Sequence, residues 1–192
     1  MKEFDIYIYR CKGTSDRNAM YGCTLQIYNG FTIGEFPNEV EMKEIKMSEI
    51  FEGIEGIKDI DRSTLHSGPY PLVSSSGTNN SIIDYVDKYN YEGIYISFAR
   101  SGTVGSCFVQ TGKFEVLNHS TGLIKLKEEC KYLESCLGLL AYIMTNKFTR
   151  IYNYSTLLNN SRLMKETISL PTLDGKINEN LLNAYVYEMM LI

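Results

Sequence analysis

Residues 70–127 read YPLVSSSGTNNSIIDYVDKYNYEGIYISFARSGTVGSCFVQTGKFEVLNHSTGLIKLK, and this stretch decides the fold. Short runs rich in Ile, Val, Tyr and Phe alternate with loops of Ser, Thr, Asn and Gly, the pattern of strands separated by turns. Strands are expected at SIIDYVDKY, EGIYISFA, GSCFVQTG, KFEVLN and GLIKLK. No long helical pattern lies between them, so much of the pairing should be antiparallel.

Upstream, FDIYIY and CTLQIY are β-like runs separated by the polar loop KGTSDRNAM. GEFPNE reads as a connector, and MSEIFEG as a short helix with Ser48 as its N-cap. IKDIDRSTLHSGPYP, rich in turn formers, reads as a loop.

Downstream, the period changes. Leu133, Leu137, Leu140, Met144 and Phe148 recur at spacings of four, three, four and four, which predicts one helix over 128–148 with this face on the sheet. SRLMKET reads as a shorter helix capped by Asn160 or Ser161, and ISLPTLDGKI as a strand with an Asp174-Gly175 turn. A last helix from about Asn178 carries Leu181, Tyr185, Met189 and Ile192 on one face. The expected class is α+β: a twisted, largely antiparallel sheet with a few flanking helices, in a domain over 41–192 with a β-rich extension over 1–40 packed against it.

Composition narrows the function. A hydrophobic fraction of 44% in 192 residues supports a sizeable core in one domain. The five cysteines are odd in number and include no C-x-x-C, which argues against a disulfide framework or zinc site and suits reduced thiols in the cytoplasm. The first ten residues carry no secretory signal pattern, and the longest apolar stretch, CLGLLAYIM, is far short of a membrane span. Net charge is −4, yet residues 35–62 hold nine acids against four bases, whereas 100–165 hold nine bases against four acids. That bias suits either a local positive face or an ordinary solvated surface.

Phosphate-loop, dinucleotide, zinc-protease and nucleophile-elbow motifs are absent, as is an Asn-Pro-Pro-Tyr-like tetrapeptide. Cys107 and His119 could pair as thiolate and imidazole, but ordinary structural roles account for both. The informative residues lie in three polar clusters. Ser74, Ser75, Ser76, Thr78, Asn79 and Asn80 offer groups that suit base edges, phosphates or sugars; the competing reading is a self-capped turn. Arg100, Ser101, Thr103 and Ser106 surround Gly102 and Gly105; Arg100 could clamp a phosphate or read guanine, or could end a plain hairpin. Tyr154, Asn159, Asn160 and Arg162 precede or open a short helix, and a capped helix would explain them as well.

In order and spacing, these segments resemble the target recognition domain of type I restriction-modification specificity subunits and of related type IIB and IIG systems. The resemblance runs over residues 44–185. It rests on IKMSEIFEG, YPLVSSSGTNNSIIDYVD, IYISFARSGTVGSCFVQTGKFEVLNH and SRLMKETISLPTLDGKIN, each loose alone and moderately specific together. It implies sequence-specific reading of double-stranded DNA, with no catalysis, cofactor or metal of the chain's own. In that family an adenine-N6 methyltransferase subunit is the partner and a motor-nuclease subunit cuts. By the same resemblance the three clusters approach DNA, with Lys113 and Arg150 joining Arg100 and Arg162 on phosphates. The chain departs from the pattern in having one recognition domain rather than two, and only some 15 residues for a spacer helix. A half-subunit that dimerises, a recombination fragment and a fold reused for protein interaction without DNA binding are the other readings.

Overall fold

A computed structural model of the chain describes residues 8–11, 23–26, 40–55, 60–117 and 119–190. Sequence expectations for the start of FDIYIY, the loop KGTSDRNAM, the end of CTLQIY, all of GEFPNE, the start of IKDIDRSTLHSGPYP and Ile192 lie outside these residues. The chain divides into two compact units, Ile45–Ile168 and the described residues up to Glu44 together with those from Ser169 on.

In the second of these, β1 (Ile8–Cys11) pairs antiparallel with β2 (Cys23–Gln26), with Cys11 opposite Cys23. The strand β3 (Glu41–Lys46) begins here and pairs with β10 (Thr167–Leu173), which in turn pairs with β11 (Lys176–Ile177). The turn between β10 and β11 is Asp174-Gly175, as expected, with φ of 52° and 76°. Two consecutive left-handed residues match the twist of a tight hairpin, and Gly takes that conformation without steric cost. Asn178 then caps α4 (Glu179–Met190), its Oδ1 accepting from the Leu181 amide at 3.1 Å. Leu181, Leu182 and Ala184 are buried.

The larger unit is built on a six-stranded sheet, ordered β4-β9-β7-β8-β5-β6. Its strands are β4 (Phe51–Gly53), β5 (Ser67–Val73), β6 (Ile82–Val86), β7 (Tyr91–Ala99), β8 (Cys107–Val116) and β9 (Thr121–Leu126). All neighbours run antiparallel except β5 and β8, which are parallel and share only Leu72↔Glu115 and Val73↔Val116. The α+β class and the largely antiparallel sheet are therefore as expected.

Several local expectations are corrected. SGPYP is strand, not loop. Pro69 and Pro71 are tolerated because β8 reaches only Leu72 and Val73, so on that side the missing N–H groups leave no ladder incomplete. GSCFVQTG and KFEVLN form one strand rather than two. Gly112 (φ 74°) bends it opposite Gly93 (φ 128°) without breaking the pairing. MSEIFEG is one helical turn, α1 (Met47–Ile50), running directly into β4 because the Phe51 position pairs with Leu126. Its N-cap is Lys46 rather than Ser48, and the Glu49 carboxylate accepts from the Lys46 amide at 3.1 Å.

The segment 128–148 splits in two. Glu128–Cys136 is a 3-10 helix, and α2 (Leu137–Ile151) follows it. Cys130, Leu133 and Cys136 are buried at a spacing of three, the period that stacks on one face of a 3-10 helix. The expected apolar face nevertheless forms: Leu133, Leu137, Leu140, Met144 and Phe148 are all buried. Phe51, Phe98, Ile96 and Ile124 from the strands are buried as well, while Val73, Phe114, Val116 and Leu123 form a core cluster of their own, with Ile54, Tyr91 and Tyr95 packed against it. Each such side chain contributes about 1.5–3 kcal/mol on burial.

The Cys107–His119 pair is not a dyad. Cys107 is buried, and its thiol donates to the Gly105 carbonyl at 3.3 Å rather than to an imidazole; His119 is exposed in the turn before β9. Burial pushes the Cys107 thiol well above its ordinary range, against a smaller opposing effect of its hydrogen bond with Thr145, so the thiolate is disfavoured. Cys130 and Cys136 are also buried.

Three expectations follow. Gly122 faces Phe98 across β9 and β7, and a Cβ there would lie 2.2 Å from the Phe98 ring. Gly122→Ala should therefore destabilise the fold by about 1–3 kcal/mol in denaturant titrations. Second, iodoacetamide should label Cys107 in denaturant but not in the native chain over the same interval, read by peptide mass spectrometry. Third, burial raises the Glu115 carboxyl above its ordinary 4.5, against the Val116 amide and Asn90, which pull it down. The native state then holds the proton more tightly than the unfolded chain. The Glu115 contribution is complete below pH 4.5 and is lost as pH rises through the native value. Glu115→Gln, which cannot ionise, should gain on the wild type in melting temperature as pH rises from 4 to 8, within about these limits.

Candidate nucleic-acid interface

The loop between β5 and β6 is closed on itself before it meets anything else. The Ser74 amide donates to the Ser81 carbonyl at 2.9 Å, and the Ser81 hydroxyl donates to the Ser76 carbonyl at 2.6 Å. Ser76 Oγ lies 3.2 Å from Thr78 Oγ1. Asn79, Asn80 and Ser81 all have left-handed backbone, with φ of 52°, 52° and 60°. Such non-glycine residues cost of order 1–3 kcal/mol each and persist only where their surroundings enforce them.

The enforcing contacts are visible. The Asn79 amide donates to the Ile82 carbonyl at 2.9 Å, and the Asn80 amide donates across the sheet to the Val109 carbonyl at 3.0 Å. From below, the Gln110 amide donates to the Asn80 carbonyl at 2.9 Å and to Ser97 Oγ at 3.0 Å. Gln110 and Ser97 are 3% and 1% exposed, so the bond between them forms out of water, while the bond to Asn80 is partly buried. Ser74 is also buried, Ser75 and Ser76 are half-buried, and Thr78, Asn79 and Asn80 are exposed.

The loop between β7 and β8 packs directly on the first. The Thr103 amide donates to the Ser75 carbonyl at 3.2 Å. Gly77 lies against the Thr103 side chain and Gly102 against Ser75, so both contacts leave no room for a Cβ. The Arg100 and Ser101 amides donate to the Ser120 carbonyl at 2.8 and 3.3 Å, fastening the loop to the turn before β9. On its other side Gly105 (φ 89°) abuts the backbone of Phe148 and Thr149 in α2; a Cβ there would come within 2.6 Å. Arg100 and Ser101 are half-buried, Thr103 is exposed and Ser106 is buried. Two of the three expected clusters thus become one packed surface, with Thr78, Asn79, Asn80 and Thr103 exposed on it.

The third cluster is used mainly by the fold. Asn159, not Asn160 or Ser161, caps α3 (Asn160–Leu163), accepting from the Arg162 amide at 2.9 Å. The Asn160 amide donates to the Ile54 carbonyl at 3.0 Å and to Glu55 Oε1 at 3.2 Å, tying the segment to the end of β4. The Arg162 guanidinium donates to the Leu157 carbonyl. Tyr154 is 76% exposed, and Arg150 is exposed in the last turn of α2, where a cation complements the helix dipole. Lys113 sits opposite Glu92, at the other end of the β7–β8 pairing from Cys107, with Nζ 4.7 Å from the Tyr89 ring centre.

Sequence reasoning passed over Ser97 and Gln110. The available signal was a polar residue inside a nearly continuous apolar strand, which must find a buried partner. Among the described residues, no group of three or more His, Cys, Asp or Glu side chains could hold a metal ion.

A sequence profile described as "Type I restriction modification DNA specificity domain" matches residues 39–185. A Mycoplasma pneumoniae protein named as a type I specificity subunit is 24% identical over 120 residues, 61% of this chain and 39% of its own length. The specificity subunit of a type II restriction enzyme from Heyndrickxia coagulans is 23% identical over 154 residues, 79% of this chain and 44% of its own. Among solved structures, the S subunit of a type I restriction-modification system from M. genitalium superposes with a TM-score of 0.64 at 13% identity, over 82% of this chain and 40% of that one. The chain therefore spans less than half the length of these relatives. By a profile match over three quarters of its residues, it belongs to the type I restriction-modification DNA specificity domain family.

Proposed function

We propose that this chain reads a specific sequence in double-stranded DNA as the specificity component of a restriction-modification system. It contributes recognition and no bond-making chemistry of its own. The observation that carries this reading is the family match across the fold together with the two polar loops locked into one surface. Asn, Thr and Ser on rigid loops can donate to and accept from base edges, and Arg is suited to guanine or phosphate. Base contacts fall to Thr78, Asn79, Asn80 and Thr103. Phosphate contacts fall to Arg100, Arg150 and Arg162, with Lys113 and Tyr154 further out. Ser74 and Ser106 hold the loops from beneath, and Asn159 and Asn160 hold the third segment. The partners are an adenine-N6 methyltransferase subunit, which supplies the methyl-transfer chemistry, and a restriction subunit. The compartment is the cytoplasm; no described helix is long and apolar enough to cross a membrane.

A chain of net charge −4 gains little from long-range attraction, so binding should be weak, and its fall with salt should be set by the few phosphate contacts of Arg100, Arg150 and Arg162. Fluorescence anisotropy on a duplex enriched from a randomised pool, with and without a methyltransferase partner, tests the reading. Arg100→Ala should cost about 1.5–3 kcal/mol of binding, the scale of a charge-assisted hydrogen bond. Failure of the wild type to enrich any duplex at low salt in either setting would overturn the reading.

A further inference from the structure

We infer that Gln110 is a positioning residue for sequence discrimination: a buried amide on the sheet that holds Asn80, and through it the joined loops, in the conformation that meets the bases. The inference rests on the DNA-reading function proposed above and assigns the device behind its specificity. Gln110 touches no ligand; it acts through the Asn80 backbone.

The geometry is reciprocal. The Gln110 amide nitrogen donates upward to the Asn80 carbonyl at 2.9 Å and sideways to Ser97 Oγ at 3.0 Å. The Asn80 amide nitrogen donates down to the Val109 carbonyl at 3.0 Å and lies 3.5 Å from Gln110 Oε1. Ser97 Oγ donates to the Phe108 carbonyl at 3.3 Å, so it accepts from Gln110 while donating elsewhere. That orientation fixes which end of the Gln110 amide carries the nitrogen. Two adjacent donors are thereby aimed at one loop carbonyl and one hydroxyl, from a Gln110 side chain that is itself buried.

The loop needs such a clamp. Its three left-handed residues are unfavourable in an isolated chain, and Asn80 is the middle one. Releasing the Asn80 carbonyl would free that residue to relax toward ordinary backbone. The relaxation would move Asn79, whose amide is tied to Ile82, and would loosen Ser75 from Thr103. Base-edge hydrogen bonds depend on such positions, whereas phosphate attraction tolerates movement. Gln110 should therefore govern discrimination between sequences more than affinity for DNA in general.

The test uses the full 192-residue chain, a duplex enriched by the wild type from a randomised pool, and a scrambled duplex of the same composition. Gln110→Leu removes both donors at similar volume, and Gln110→Glu replaces them with oxygen facing the Asn80 carbonyl. For each variant, melting temperature, the affinity for both duplexes and the salt dependence are measured. The expected result is a fall of roughly tenfold or more in the ratio of enriched to scrambled affinity, with scrambled-duplex affinity and salt slope unchanged. Hydrogen exchange of the 74–81 amides should rise in the same variants. Should Gln110→Leu fail to fold, Gln110→Glu and the exchange measurement decide alone.

An unchanged ratio in folded variants would overturn the positioning role while leaving DNA reading intact. Parallel loss on both duplexes would reduce Gln110 to a structural residue and overturn the inference as well. A wild type that enriches nothing removes the underlying reading, a failure separable from the first two because it precedes any variant.

Discussion

The outer edge of β8 is the constraint from which the rest of the larger unit follows. Along its length β8 pairs with β7, but on the other side β5 reaches only Glu115 and Val116. The backbone groups of Cys107 and the Val109 carbonyl have no strand partner there, and main-chain groups turned away from water need one. Two side chains meet the need. Thr145 of α2 accepts from the Cys107 amide at 2.9 Å and donates to its carbonyl at 3.1 Å, and Asn80 donates to the Val109 carbonyl. A helix and the β5–β6 loop are thus fastened to the same few residues of strand.

This arrangement explains how a polar, glycine-containing loop can be rigid. Loops are ordinarily the least ordered parts of a domain because few contacts hold them. Here the β5–β6 loop is tied to the sheet by Asn80 and Gln110 and to the neighbouring loop by Ser75 and Thr103, and that neighbour rests on α2 through Gly105. Contacts that read sequence lose less on binding when they are ordered beforehand. The same locking accounts for the buried Ser74 and Ser106: their hydroxyl-bearing positions support the surface rather than face outward.

Much of the fold was legible in the sequence because the period of apolar residues is a direct record of burial. The strands around Ile96, Phe98, Leu123 and Ile124, and the face from Leu133 to Phe148, follow from pattern alone. What failed to show was decided by pairing. SGPYP looks like a loop until the strand beside it is known to stop short. Gly112 looks like a turn until Gly93 is found opposite. The capping residues Lys46 and Asn159 are each a position or two from the expected ones, because caps depend on where the chain enters the turn.

For the site, the sequence by itself determined the inventory: three polar clusters, the glycines that let them approach other backbone, a basic bias after residue 100, and the ordered motifs of the family. Those are properties of residue type and spacing, which need no coordinates. Only the tertiary structure decided that two clusters fuse, that the third is largely spent on capping and anchoring, and that Gln110 and Ser97 hold the β5–β6 loop from within the sheet. These outcomes depend on which strand edge lies open beneath which loop. A hydrogen bond between residues 30 positions apart, as between Asn80 and Gln110, leaves no local trace in either segment.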